Sequence, residues 1–410
     1  MLNGKNIAIV GAGIAGLAAG ISLTRAGHRV VLYERFSASL PIGSGLMIQP
    51  TGLAALARLG LRDEIEKLGA RIGRLHGQTQ SGVTIFNLDY ADLDPNFYAI
   101  GVQRAALHAV LWHAFAGSGA GIETGQEATA FEPCAGGGAC LVFRNGRRSP
   151  PFDLVIDASG SRSGLRAAAT GRKPRSFSYG AVWASAPDRS IAPAALTQRY
   201  VAARIMIGHL PLGKASHDAP PLIAFFWSLK PEHFAQWSSG FHPWRDQVLR
   251  LWPALESIVA GFSGPEEFTL ARYAHFSTSR PFRGPLALIG DAAHATSPQL
   301  GQGANNALLD ALALTDALER FEDIDAALAA YTRFRRDHVR FYQWASMLLT
   351  PFFQSDSRLM PLLRDIAFDR LKLIPYFKRE MLRTLAGVKT GLFSNADPAA
   401  LAGSERASED

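Results

Sequence analysis

The stretch "NIAIVGAGIAGLAAGISLTRAGHRVVLYE", residues 6–34, decides the fold. Asn6 to Val10 is β-branched and apolar, the pattern of a buried strand. A glycine-rich turn follows, Gly11-Ala12-Gly13-Ile14-Ala15-Gly16, and then a run with helical spacing that stops at Gly27. "RVVLYE" is a second buried strand, so the stretch is one βαβ unit. Each glycine has its own task. Gly11 allows a tight turn, Gly13 lets backbone approach a pyrophosphate, and Gly16 lets the helix pack close to the sheet. The helix start at Ile14 and Ala15 offers unpaired N–H groups and partial positive charge to phosphates. Glu34 lies 18 residues after Gly16. That is close to the ~20 expected for an acid that bonds ribose hydroxyls, and an acid there argues against a 2′-phosphate.

The rest of the chain bounds this reading. It has 410 residues, 48% hydrophobic and 19% charged, which gives two or three packed lobes and argues against disorder. A formal charge of +7 is a mild bias, compatible with anionic ligands or acidic lipid surfaces. No lysine-rich block or interleaved aromatic stripe argues for nucleic acid. Cys134 and Cys140, in "EPCAGGGACL", read as small residues flanking a loop. They suggest no disulfide framework, so a cytoplasmic location is expected. Neither cysteines nor histidines have metal-ligand spacing, and no metal is expected. The N-terminus shows no secretory signal, and no stretch approaches the ~18 apolar residues of a spanning helix. "GHLPLGKA" (208–215) mimics a phosphate loop but ends in Ala215 and contains Pro211. The G-x-S-x-G pattern of serine hydrolases is absent.

Residues 53–69 and 104–116 read as helices and "DLVIDAS" (153–159) as a further strand. From about 177 to 280, "GAVWAS", "RYVAARIMIGHLPL", "PLIAFFWSL" and "EEFTLARYAHF" are strand-like runs between Pro/Gly turns. The expected fold is α/β. A Rossmann-like nucleotide-binding domain (1–175 and 283–345) carries an inserted antiparallel sheet (176–282). Helices over 346–393 and a frayed tail over 394–410 complete it.

A second stretch, "LALIGDAAHATSPQLGQGANNALLDALAL" (286–314), is a strand that ends in a carboxylate and turns through glycines into a helix. Asp291 at that strand end could accept a hydrogen bond from a polyol. The small residues Gly301-Gln302-Gly303-Ala304 let a helix N-terminus abut a flat ring, and that dipole favours the negative charge of a reduced flavin.

"GAGIAG", "LYER" and "GDAAHATSPQLGQGANNALLDA" resemble the FAD-dependent aromatic-ring monooxygenases related to para-hydroxybenzoate and salicylate hydroxylases, the class A flavoprotein monooxygenases. "GSGLMIQPTGLAAL" (43–56), with Gly45, resembles the segment that runs under the flavin. "VQRAALHAVL" (102–111) resembles the one whose arginine, Arg104, reaches the FAD. The resemblance covers roughly residues 5–345. It implies that Gly11, Gly13 and Gly16 hold the pyrophosphate, Glu34 the adenosine ribose and Arg35 the adenine side. It implies Asp291 on the ribityl chain and Pro298 with Gly301 to Ala304 along the isoalloxazine. His294 becomes a packing residue of the turn.

The implied reaction takes a small aromatic or otherwise electron-rich substrate. NADH or NADPH reduces FAD, O2 adds to give a C4a-hydroperoxyflavin, and its distal oxygen goes to the substrate. One motif departs from the family. In "DASGSRSGLR" (157–166), Gly160, Ser163 and Arg166 match, but Ser159 stands where the family has aspartate. Asp157 lies two residues earlier and, at period two, faces the same side. The change bears on the nicotinamide step, and electrons from a separate flavin reductase are the alternative. A reductase of the same fold acting on an isoprenoid is another, separated by whether oxygen is consumed. A flavin-dependent halogenase is disfavoured, since "WASAP" (183–187) lacks the second tryptophan of its motif. Trp183, Tyr200, Phe225 and Trp227 are candidate substrate walls, each weighed against ordinary sheet core. Residues 369–393 mix apolar and basic positions and could touch a membrane peripherally, although a helix packed on its own domain gives the same pattern.

Overall fold

The computed structural model describes residues 4–38, 45–134, 138–189, 194–371 and 374–403. The helices that matter below are α1 (Ile14–Arg25), α2 (Pro50–Arg58), α3 (Arg104–Ala116), α4 (Gly303–Arg320), α5 (Ile324–Phe353), α6 (Leu359–Leu371) and α7 (Pro375–Ala386).

A six-stranded sheet runs in the order Phe282–Arg283, Leu286–Leu288, Leu154–Asp157, Asn6–Val10, Arg29–Tyr33, Gly121–Glu123. Its strands are parallel except for the two-residue edge strand Phe282–Arg283. Val10 pairs with both Tyr33 and Asp157, and Asp157 pairs with Leu288. Four neighbouring strands therefore end level. The segments leaving their carboxyl ends, at Gly11, Glu34, Ala158 and Ile289, emerge side by side, the usual ligand position of an open α/β sheet. α1 is buried from Ala15 to Leu23 and packs on α4, itself buried from Asn305 to Leu318. Helices apolar all round belong in a core.

The second sheet has seven strands, in the order Thr269–His275, Arg175–Pro187, Pro221–Leu229, Ile205–Lys214, Ala195–Val201, Arg74–Thr79, Thr84–Asp89. The last two come from outside the expected 176–282 and join by parallel pairing of Ala195–Tyr200 with Arg74–Thr79. The run "RYVAARIMIGHLPL" is not one strand but a hairpin, turning near Ala202 at φ 50°. Helical segments between Phe234 and Val259 cover one face. Phe225, Trp227 and Val182 pack there on Trp237, Phe241, Trp244 and Phe268. On the other face Tyr200, Met206, Phe226 and Trp183 meet Phe353 and Phe368 from α5 and α6.

Two expectations are corrected. Cys134 and Cys140 are bonded to each other, with Cα atoms 6.1 Å apart. The hairpin of Ala128–Pro133 and Ala139–Phe143 brings them within bridging distance, so their number no longer speaks for a reducing compartment. The tail is ordered as far as Gly403: Pro398–Leu401 is a short helix with Asp397 accepting from Ala399 N. Leu401 and Ala402 are buried, and this helix packs on α2. Residues 404–410 lie outside the described residues.

Candidate active site

A cavity of about 590 Å³ opens where the four strands end. Gly11 has φ 103°, and a Cβ there would lie 2.8 Å from Ala158 O. A Cβ on Gly16 would lie 2.0 Å from Gly11 O, so this glycine sets the approach of α1 to the turn. A Cβ on Gly13 would meet nothing within 4 Å. It faces the cavity, as do Ile14 and Ala15 at the start of α1. The three glycines thus separate into turn, packing and cavity-facing positions.

Glu34 is buried at the rim. One carboxylate oxygen accepts from Ala12 N at 2.7 Å and the other from Phe36 N at 3.1 Å. Each oxygen keeps a second acceptor site for a diol. Arg35 and Arg104 also line the cavity. Across from them stand Asp291 and, at the start of α4, Gly303 and Ala304. The remaining expected positions do not line this cavity. Gly45 passes beneath Leu212, where a Cβ would come within 2.2 Å; residues 43 and 44 of that segment lie outside the described residues. Pro298 opens a single 3-10 turn that ends at Gly301, with φ 62°. Gln302 is buried and donates to Leu385 O at 2.9 Å. A pyrophosphate-bearing dinucleotide fits this arrangement: an open Gly13, a helix start, a rim carboxylate and a second carboxylate opposite.

We expect Gly13→Val to keep the melting temperature of flavin-free protein while weakening FAD at least about tenfold. Gly16→Ala should lower that melting temperature, because the clash is with backbone. Thermal unfolding and flavin fluorescence titration read the two separately; equal melting losses would contradict the division of roles.

The four candidate substrate walls divide by face. Ala184 pairs with Phe225 and Val182 with Trp227, so both aromatics point to the helical cover. Phe225 and Trp227 are core residues, not pocket walls, because period two puts them opposite Trp183 and Phe226. Tyr200, on the inner face, is sealed by Phe353 and by Arg364 above its ring. Trp183 differs. Its indole N–H donates to Tyr273 Oη at 3.2 Å. Burial pushes the Tyr273 phenol up to about 12, with Arg104's charge working against that rise. Trp183 and Tyr273 are thereby joined side chain to side chain, and Tyr273 lies within the electrostatic reach of Arg104. Tyr273 was missed because it lies in a strand of unremarkable alternation.

The departing motif is internally matched. Asp157 is fully buried and does not reach the cavity; Ser159 does. Asp157 accepts from Ser159 Oγ at 2.5 Å, from Ser159 N at 3.0 Å and from the Ser163 hydroxyl. Burial raises its carboxyl above the ordinary range despite these donors. An aspartate at 159 would set a second carboxylate against it. Arg166 is buried and donates to the carbonyls of Gly160 (3.0 Å), Ser161 (2.9 Å), Asp291 (2.8 Å) and Ala292 (2.7 Å). It fastens this motif to the Asp291 turn.

Behind Asp291, His294 is buried and shares its Nε2 with Asp310 Oδ2. The same oxygen accepts from Gly290 N at 2.8 Å, and Oδ1 accepts from Arg335 Nε at 2.7 Å. Burial opposes a charge on His294, but Asp310 outweighs it and the imidazole is raised. Asp310 was not foreseen; its signal was one acid within the apolar run "ALLDALAL".

The family described as "FAD binding domain" matches residues 5–342. The chain belongs to the FAD-dependent aromatic-ring monooxygenases. This monooxygenase binds FAD, and it is similar to the FAD-dependent urate hydroxylase of Klebsiella pneumoniae. The two are 28% identical over 342 residues, 81% of this chain and 86% of that one. It is also similar to the 3-amino-4-hydroxybenzoate 2-monooxygenase of Streptomyces cremeus, 28% identical over 338 residues, 76% and 78% of the two chains. Among solved structures, Klebsiella pneumoniae HpxO complexed with FAD and uric acid superposes with a TM-score of 0.80 at 22% identity, covering 95% of this chain and 98% of that one. The tetrameric form of 2-methyl-3-hydroxypyridine-5-carboxylic acid oxygenase gives 0.72 at 21% identity, covering 91% and 97%.

Proposed function

We propose that this monooxygenase hydroxylates a small, planar, electron-rich ring held between the flavin and the Trp183–Tyr273 pair. The observation that carries the reading is the cavity at four level strand ends, bordered by Arg104, whose charge also bears on Tyr273. The names of the relatives support it, since urate and aminohydroxybenzoate are such rings. The overall change consumes O2, NAD(P)H and a proton and yields hydroxylated product, water and NAD(P)+. FAD, when bound, supplies the electron transfer and oxygen activation.

The chain supplies position and charge. Gly13 and the start of α1 would receive the pyrophosphate, Glu34 the ribose, Arg35 the adenine side and Asp291 the ribityl hydroxyls. Gly303 and Ala304 bring the N-terminus of α4 toward the ring, where its partial positive charge favours the reduced form. Pro298, Gly301 and Gln302 would border the isoalloxazine, with Gly45 on the segment beneath it. A screen following oxygen uptake and NAD(P)H oxidation together tests the reading. The expected outcome is equimolar consumption with a ring substrate; NAD(P)H oxidation with no oxygen uptake would point instead to a reductase.

Direct reduction by NADH or NADPH is the favoured electron source, because Gly160, Ser163 and Arg166 keep their places around Ser159. Asp157 would act through the Ser159 hydroxyl, not by facing the ligand. Asp157→Asn should slow flavin bleaching by NAD(P)H about tenfold in stopped flow, the scale of a lost charge-assisted hydrogen bond. Unchanged bleaching would remove that role. No bleaching in the wild type, with turnover on added reduced flavin, would favour a separate flavin reductase. A cytoplasmic location fits these partners. Peripheral membrane contact stays in the reading because exposed Tyr376, Phe377 and Arg379 fall within 369–393.

A further inference from the structure

Helix α6 is turned inside out. Pro361, Arg364 and Phe368 face the protein, while Leu359, Leu362, Leu363 and Ile366 face outward. The outward side chains are 57%, 59%, 44% and 66% exposed. A surface helix of a globular protein shows the opposite arrangement. The orientation is fixed, because Arg364 is fully buried and donates to Ala202 O and Phe352 O, each at 3.0 Å. Its guanidinium lies 5.0 Å from the centre of the Tyr200 ring. Rotating the leucines inward would strip a buried cation of these partners.

α5 packs directly on α6, and α7 packs on the same strand as α6, Thr84–Asp89. α5 exposes Trp344, Met347 and Leu348, and the start of α7 exposes Tyr376 and Phe377, with Ile374 just before it. Leu392 and Phe393 follow α7, and Leu392 O accepts from Lys389, whose ammonium lies against the Phe341 ring on α5. Of the fourteen large hydrophobic side chains exposed among the described residues, twelve lie between 344 and 393. Scattered exposure needs no explanation; exposure gathered in this way marks a contact surface. The distal half of α7 belongs to the protein instead, with Leu382 and Ala386 buried, so the surface is centred on α6 and not on 369–393.

Charge names the occupant. Residues 340–393 hold nine basic and four acidic residues; two of the basic ones, Arg364 and Lys389, are buried and ion-paired to Asp365 and Glu380. Arg340, one turn before Trp344, and Arg358, Arg370 and Arg379 are exposed around the apolar side chains. A twofold contact with a second copy would bring like charges together, since such an interface is self-complementary. No helix among the described residues is long and apolar enough to cross a membrane. Apolar side chains with a basic rim and interfacial aromatics suit a helix lying in the plane of an anionic lipid surface.

We propose that this protein docks on anionic membranes through α6 and its flanks on α5 and α7. The test is flotation of FAD-loaded full-length protein with vesicles of phosphatidylcholine alone or mixed equally with phosphatidylglycerol, and it reads binding whether or not the enzyme turns over. Binding should be at least about tenfold stronger to the anionic vesicles and should weaken at ~0.5 M salt. Leu362→Glu/Ile366→Glu should lose about tenfold or more. If that variant fails to retain FAD, Arg358→Ala/Arg370→Ala/Arg379→Ala provides the second arm, with about tenfold loss on anionic vesicles only. Equal binding to both vesicles, or binding unchanged in a flavin-loaded variant, overturns the proposal. So does a wild type that ignores vesicles and elutes as a dimer which Leu362→Glu/Ile366→Glu makes monomeric; that result assigns the face to a second copy.

Discussion

Arg166→Met should cost the protein about two orders of magnitude in FAD affinity, with a lowered melting temperature even without flavin. The side chain is buried, lies 4.5 Å from the centre of the Phe276 ring, and holds carbonyls from two separate turns, Gly160 and Ser161 on one side and Asp291 and Ala292 on the other. Methionine fills much of the space but leaves those acceptors without their donor. A charged hydrogen bond is worth about 1.5–3 kcal/mol, and neighbouring losses are not additive, so a net ~3 kcal/mol is expected. That corresponds to the hundredfold. Arg166→Lys should recover only part of it, because an ammonium cannot span both turns. Flavin titration with parallel unfolding curves measures both effects. FAD affinity within about threefold of wild type in the methionine variant would mean that the turns hold their positions unaided.

Asp310→Asn is the second large effect, expected to destabilise by about 3–5 kcal/mol by uncoupling a buried cation pair. Arg335 and His294 would face a neutral amide, and Gly290 N, beside Asp291, would lose its charged acceptor. The pH dependence has a definite sign. Burial opposes the Asp310 charge, but His294 and Arg335 outweigh it and hold its pKa below the ordinary value. Its stabilisation is present above ~4 and is lost as pH falls through the folded value. His294 is raised, so its stabilisation is full below ~6.5 and is lost as pH rises through its folded value. The gap between wild type and Asp310→Asn should therefore be widest between about pH 4 and 6.5 and should narrow on either side. A gap that is constant from acid to alkaline pH would mean the pair is not ionised.

How much of this was readable in advance divides along physical lines. The sequence by itself determined the βαβ unit, the turn at Gly11, the close packing at Gly16, and the positions of Gly13, Glu34 and Asp291 at the ends of strands. These follow from local rules: a period of two or 3.6, a φ that only glycine adopts without strain, and a helix start that offers free N–H groups. Tertiary structure alone decided the rest. Period two says that Phe225 and Phe226 face opposite ways but not which of them lies under the helical cover; packing of Phe225 on Trp237 and Trp244, and of Phe226 with Phe353, settles it. Nothing local in residues 74–89 announces that they complete a sheet begun a hundred residues later. The reach of Arg166 to Asp291 and the clasp of His294 by Asp310 and Arg335 likewise depend on where strands end and helices cross. Such contacts are set by long-range packing, which leaves only a misplaced charge in an apolar run as its trace in the sequence.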